Sequence, residues 1–362
     1  MKKDLTRIIL TSCVSWGVGV QPSAGGLYNL AEPPPGPGIT TKEIRAIPFS
    51  DFRGQLVEWI QLGNNQVSSP KRKQYEGRRH DLMTRMQSGQ ITLTEKIDLS
   101  AYFIRLKEYD KAIKLLTELA AQERDNFFVL ANLITAHQLA GQWDRAVSYL
   151  AQIKGRGPTD WQALTKEQMD WFTRVEKVHY ELVRERYRES QTQARGQKSA
   201  PAVDNLFGVR FVGDSGDYEA GKLAAVEQAK LPKDALAIVQ QLLVWFPEDT
   251  RLYWLLGEVL NAQGNIADAA TVLDECRDSR RFDAPDLLAH RRILREALAQ
   301  PSALQPEGPA GSDAVTPSWF AEHRPIAIGG GIAGLVVIFL LFLQIQVIWR
   351  RLRSKHGNSK RL

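Results

Sequence analysis

A chain of 362 residues, 43% hydrophobic and 24% charged, carries enough apolar material for a buried core and has an ordinary globular balance. Its net charge of +6 sits at the two ends, which hold nine of the 47 basic residues but only Asp4 of the 41 acidic ones. The remaining 38 basic and 40 acidic residues give a nearly neutral body, which excludes the phosphate-neutralising surface that a nucleic-acid partner needs.

Residues 1–25 begin with Lys2, Lys3 and Arg7, continue through Ile8, Ile9, Leu10, Val14, Trp16, Val18 and Val20, and end in Ser23, Ala24 and Gly25. That is the layout of a secretory signal, with cleavage after Ala24 or Gly25. Two other readings stand beside it: a lipidated Cys13 within Leu10-Thr11-Ser12-Cys13, and an uncleaved terminus. Residues 26–38 contain Pro33-Pro34-Pro35-Gly36-Pro37-Gly38, a stiff extended spacer. In residues 39–92, Thr40 and Glu43 have the spacing of a capping box. Phe52, Leu56, Trp59 and Ile60 then form one helical stripe, and Tyr75, Leu82 and Met86 a second that starts after Pro70. Lys71, Arg72, Lys73, Arg78, Arg79 and Arg85 on the second are either a patch for an acidic partner or lipid headgroups, or a solvated face.

From Leu93 a longer pattern emerges. Ala112 and Ala146 stand 34 residues apart, as do Ala235 and Ala269. Within Phe127–Asp160, Leu130, Leu133 and His137 share a helical face, the chain turns at Gly141, and Trp143, Ala146 and Leu150 restart the pattern before Pro158. This period and turn resemble the tetratricopeptide repeat (TPR) family. The resemblance implies an all-α, TPR-like solenoid of helical hairpins. Two repeats fall at 93–160 and two at 216–283, followed by a capping helix over 284–299 that starts at Pro285. Between the blocks, 161–215 is an insertion in which Thr165-Lys166-Glu167-Gln168 opens a long helix carrying Trp171, Phe172, Val175, Val178, Leu182 and Val183 to about Glu189. Polar linker follows, and Phe207–Gly213 alternates weakly like a short extended segment. Gly257 is placed for close helix approach, and Gly264 for a left-handed cap.

In the family the first helix of each pair lines a groove that holds a peptide or partner helix. Carried over by position, the resemblance implies a partner-binding groove of Ile97, Ala101, Ile104, Phe128, Ala131, Thr135, Gln138, Arg251, Trp254, Glu258 and Asn261. Ile97, Ala131 and Trp254 stand where a carboxylate clamp has Lys, and Ala101, Thr135 and Glu258 where it has Asn, so that subtype is not expected. Trp254 reads either as an anchor for the partner or as packing between repeats.

Residues 300–325 read as a flexible tether. Ile326–Ile348 is a nearly uncharged run of about 34 Å as a helix, enough for a roughly 30 Å hydrocarbon core. It predicts one C-terminal transmembrane helix. The basic tail over 349–362 then places the tail in the cytoplasm and the repeats on the periplasmic or lumenal side. Gly330 and Gly334 would allow two spans to pack as a homodimer. The same stretch matches Gly-x-Gly-x-x-Gly, but no Asp or Glu follows to hold a ribose, so no cofactor is expected.

Cys13 and Cys276 are the two cysteines, and the second reads as a small core residue. The histidines at 80, 137, 179, 290, 323 and 356 show no ligand spacing, so no metal site is expected. No catalytic motif is found. The chain reads as a non-catalytic, membrane-anchored interaction scaffold for protein partners that the sequence does not identify. A tail-anchored adaptor with cytosolic repeats is the alternative. A third reading is an enzyme in the insertion, dependent on His179, Glu185 or Glu189.

Overall fold

The computed structural model describes residues 28–32, 36–37, 44–153, 158, 164–196 and 200–300. The chain divides into a unit over 1–304 and a second over 305–362, and the second lies wholly outside the described residues. Among the described residues there are twelve helices and no strand.

Short polar signals start most of these helices. α1 (Phe49–Leu62) follows Pro48, and α2 (Pro70–Gln87) places Pro70 in its first turn behind the Ser69 cap. α3 (Leu93–Arg105) opens with a full capping box between Thr92 and Glu95, and is followed by α4 (Tyr109–Gln122). Asn126 caps α5 (Phe127–Leu139), which turns into α6 (Trp143–Ile153). Thr165 and Gln168 form the box that opens α7 (Lys166–Ala194), a helix of 29 residues that runs past the expected stop at Glu189. α8 (Ala225–Gln228) is a single turn, and α9 (Ala235–Trp245) leads to α10 (Thr250–Ala262), capped by Asp249. α11 (Ile266–Asp278) and α12 (Pro285–Ala299) complete the series.

Helical hairpins α3–α4 and α5–α6 pack on one another, α7 and α9 lead on from them to the hairpin α10–α11, and α12 covers α11. The alanines of the 34-residue step, Ala112, Ala146, Ala235 and Ala269, all lie in second helices and are fully buried. They are the small contacts that let neighbouring helices approach. Gly257 does the same more tightly, since a Cβ there would lie 2.4 Å from Leu273 Cδ1 and 3.1 Å from Val272 Cγ1. Gly264 adopts φ +82° at the α10–α11 turn, as the left-handed cap requires.

These contacts set up a paired stability measurement. Gly77 lies exposed in α2 with open space where a methyl group would go, so Gly77→Ala is expected to gain about 0.5–1 kcal/mol from helix propensity alone. Gly257→Ala gains the same propensity but must displace fully buried Leu273 and Val272, and is expected to lose about 1–2 kcal/mol net. Urea unfolding of both variants checks the opposite signs.

The expected hairpin at 216–249 supplies only its second helix, α9. Its first half is irregular apart from α8, because Gly216 (φ +88°) and Gly221 (φ +71°) take left-handed turns and Pro232 blocks continuation. Val226 of α8 is 73% exposed. α7 occupies the vacant place, packing against both α6 and α9. α1 also packs on α9, so the early and late hairpins meet. Phe207–Gly213 forms no strand.

The expected membrane architecture needs correction. Among the described residues no helix is long and apolar enough to cross a membrane. α7 has the length, but charged residues from Lys166 to Glu189 interrupt its buried stripe of Trp171, Phe172, Val175, Leu182 and Val183. The expected span at 326–348, with Gly330 and Gly334, lies outside the described residues, as do the signal over 1–25 and the Thr40–Glu43 box. The described fold is therefore all-α and TPR-like with no transmembrane helix, and the single-pass placement is withdrawn.

The basic residues of α2 are largely paired within the chain. Lys71 meets Glu58 at 3.4 Å and Arg72 meets Glu76 at 2.9 Å, while Arg79 and Arg85 pair with Glu108 and Glu95. Cys276 is fully buried, and burial pushes its thiol up to about 12.

Candidate functional site

α5 is buried on almost every side, from Phe127 to Gln138. A helix of that kind must be covered on the face its own hairpin leaves open. Here the cover is the chain's own segment Tyr28–Glu32, with α7 beyond it. Asn132, fully buried in α5, accepts a hydrogen bond from Tyr28 N–H (2.8 Å) and donates one to Tyr28 C=O (3.1 Å). The Asp98 carboxylate of α3 accepts from Leu30 N–H (2.5 Å) and Ala31 N–H (3.3 Å). Burial pushes Asp98 up to about 6, against the opposing pull of those two amides. Tyr75 and Tyr102 donate their hydroxyls to the Glu32 carboxylate at 3.2 and 3.0 Å. The Tyr28 ring packs edge-on to Phe127 (5.2 Å) and Phe128 (5.4 Å), near Trp245 (6.1 Å), and its hydroxyl donates to Glu176 of α7. Burial and the Glu176 charge raise the Tyr28 hydroxyl well above its ordinary value, so it stays a donor.

Two further amides grip main chain in the same way. Gln240 of α9 accepts from Ile47 N–H (2.8 Å) and donates to Ile47 C=O (2.7 Å). Asn261 of α10 accepts from Gly221 N–H (2.7 Å) and donates to Glu219 C=O (3.0 Å).

The residues expected to line the groove fall into two groups, with α7 and α9 between them in the packing order. Ile97, Ala101, Ile104, Phe128, Ala131, Thr135 and Gln138 are buried on α3 and α5. Phe128 touches the Tyr28 ring, and Gln138 Oε1 lies 2.8 Å from His179 Nε2 of α7. Ile104 and Gln138 meet in an open cavity of about 230 Å³, with Trp59, Arg105, Lys107, Tyr109, Trp143 and Trp245. Arg105 donates to Val244 C=O (2.8 Å) over the Trp59 ring, and burial brings it down to about 10. Arg251, Trp254, Glu258 and Asn261 form the second group on α10. Trp254 is fully buried and donates its indole N–H to Glu258 (2.5 Å), which also meets His290 Nδ1 (2.8 Å). Arg251 grips Glu189 through both terminal nitrogens, at 2.6 and 2.9 Å, and meets Asp204 at 2.8 Å.

Residues 103–167, from within α3 to the start of α7, match the family model for the tetratricopeptide repeat. The chain contains a stretch similar to the tetratricopeptide repeat. No curated protein and no solved structure matches it. The match covers the turn into α4 and the whole α5–α6 hairpin, so the helix that carries Asn132 belongs to the recognised TPR stretch. Asn132, Asp98 and Tyr102 were not among the expected groove residues. The available signal was a lone amide within the apolar run Leu130–Ile134, where a buried polar group needs a partner. His179 and Glu189, two of the three candidates for a catalytic insertion beside Glu185, have structural partners in Gln138 and Arg251.

Proposed function

We propose that this chain is a non-catalytic interaction scaffold whose α3 and α5 faces receive a protein partner. One observation carries the reading: side chains of these TPR helices already hold a short turned stretch of polypeptide by its main chain, through Asn132 and Asp98. The neighbouring cavity is rich in Trp, Tyr and Arg, the residue types that dominate interface energies. Trp143, half-buried at that opening, offers the aromatic surface a partner reaches first. The expected groove residues Ile104 and Gln138 form part of the same lining.

Crosslinking with mass spectrometry in native extracts, comparing wild type with Trp143→Ala, tests this reading. The expected result is a drop of about tenfold in a defined set of neighbours, with helix content unchanged. An unchanged set of neighbours would remove the α3–α5 face from consideration.

A further inference from the structure

We infer that the Tyr28–Glu32 segment is a built-in stand-in for the partner, and that the groove takes a short turned peptide of the form Tyr-Asn-Leu-x-Glu in its place. This rests on the scaffold reading above and adds the chemistry of the ligand.

The segment is held as a separate peptide would be held. The described residues show no main-chain to main-chain hydrogen bond from Tyr28–Glu32 to the helices. Its amides and its Tyr28 carbonyl go instead to side chains of α3 and α5. Each specificity element has its own receptor. Phe127, Phe128, Phe172 and Trp245 surround the tyrosine ring, and Glu176 takes its hydroxyl. Leu30 packs against the core, and two tyrosine hydroxyls receive the acidic side chain four positions after Tyr28. Asn29 is buried and accepts from Ala31 N–H through its Oδ1 (3.2 Å), which sets the turn, whereas the Asn132 and Asp98 contacts to main chain are independent of side-chain identity. A peptide with the same four side chains, Asn included, would satisfy the same donors and acceptors. The open cavity shares the Trp245 wall with the tyrosine box.

Occupation by the tethered segment reduces the fraction of molecules competent to bind, and the apparent affinity for an outside peptide falls in proportion. The test uses the full chain and a fluorescent synthetic peptide, Tyr-Asn-Leu-Ala-Glu, with a scrambled control. A Tyr28→Ala/Glu32→Ala variant, which weakens the internal segment, is expected to bind the peptide at least about tenfold more tightly than wild type. Adding Asn132→Ala to that variant is expected to weaken binding by about tenfold again, as loss of a paired main-chain contact requires. Equal binding of the scrambled peptide, or no saturable binding by the folded variant, overturns the inference. So does wild-type chain that dimerises with concentration and takes up no peptide, because a second copy's segment is then the occupant.

Hydrogen exchange on wild type decides the matter should the variant fail to fold. The Tyr28, Leu30 and Ala31 amides are expected to exchange at least about 100-fold faster than the α5 amides, by local opening. Equal protection makes the segment a permanent part of the core and overturns the proposal. Peptide failure alongside Trp143-dependent crosslinks would leave the scaffold reading standing.

Discussion

Replacing Trp254 with alanine is expected to cost about 3–5 kcal/mol of folding stability, the range for deleting a large buried aromatic. The indole is fully buried and packs near Phe282 (6.2 Å) and His290 (6.4 Å). Its N–H is also one of the groups satisfying Glu258, which has no solvent contact. Alanine therefore opens a cavity and leaves the carboxylate with His290 as its remaining ring partner. Trp254→Phe keeps most of the volume and removes the donor, so about 1–2 kcal/mol is expected there. Urea unfolding of the two variants separates the contributions. A loss below about 1 kcal/mol for Trp254→Ala would show that the indole is not a core element.

Arg251→Ala should be nearly as damaging, for an electrostatic reason. Asp204 is fully buried and faces Arg186 Nη2 at 2.9 Å and Arg251 Nη2 at 2.8 Å. Burial pushes its carboxyl up to about 7, although the two guanidinium groups pull the other way. Removing one cation makes ionisation of that carboxyl costlier, and together with the lost Glu189 grip this is expected to cost about 2–4 kcal/mol near pH 8, where Asp204 is otherwise charged. The pH dependence has a definite sign. A carboxyl whose folded value lies above its unfolded one binds its proton more readily in the native state, so its burial cost is absent in acid and grows as pH rises through about 4 to 7. Arg251→Ala raises that value further. Its penalty should thus be about half as large near pH 5.5 as near pH 8, and it should shrink at neutral pH in an Asp204→Asn background. Thermal unfolding at the two pH values, repeated in that background, checks both statements.

Much of the helical framework was legible because its signals are local. Thr165 and Gln168, Pro285, Gly264 and the alanines at 112, 146, 235 and 269 act within one turn or one hairpin, and each does in the structure what its spacing implies. The turn at Lys107 is harder to read. It takes the left-handed φ of 62° that Gly141, 34 residues on, takes at 72°, but its side chain hides the cue that a glycine gives. At 216–224 the apolar spacing of a helix is present, yet Gly216 and Gly221 turn the backbone and α7 takes the place from a distant part of the sequence. What covers the inner helices was not legible at all. Tyr28 and Asn132 are 104 positions apart, and Ile47 and Gln240 are 193 apart, so no window of local periodicity contains either pair.

The three amide grips of Asn132, Gln240 and Asn261 recognise atoms that almost every amino acid possesses. Such fasteners are indifferent to what is written at the fastened position. Evolution or an engineer can therefore rewrite Ile47 or Glu219 while keeping each strap buckled, provided the new residue retains its N–H where one is grasped. The helices supply the permanence in this architecture, and the connecting segments are replaceable parts.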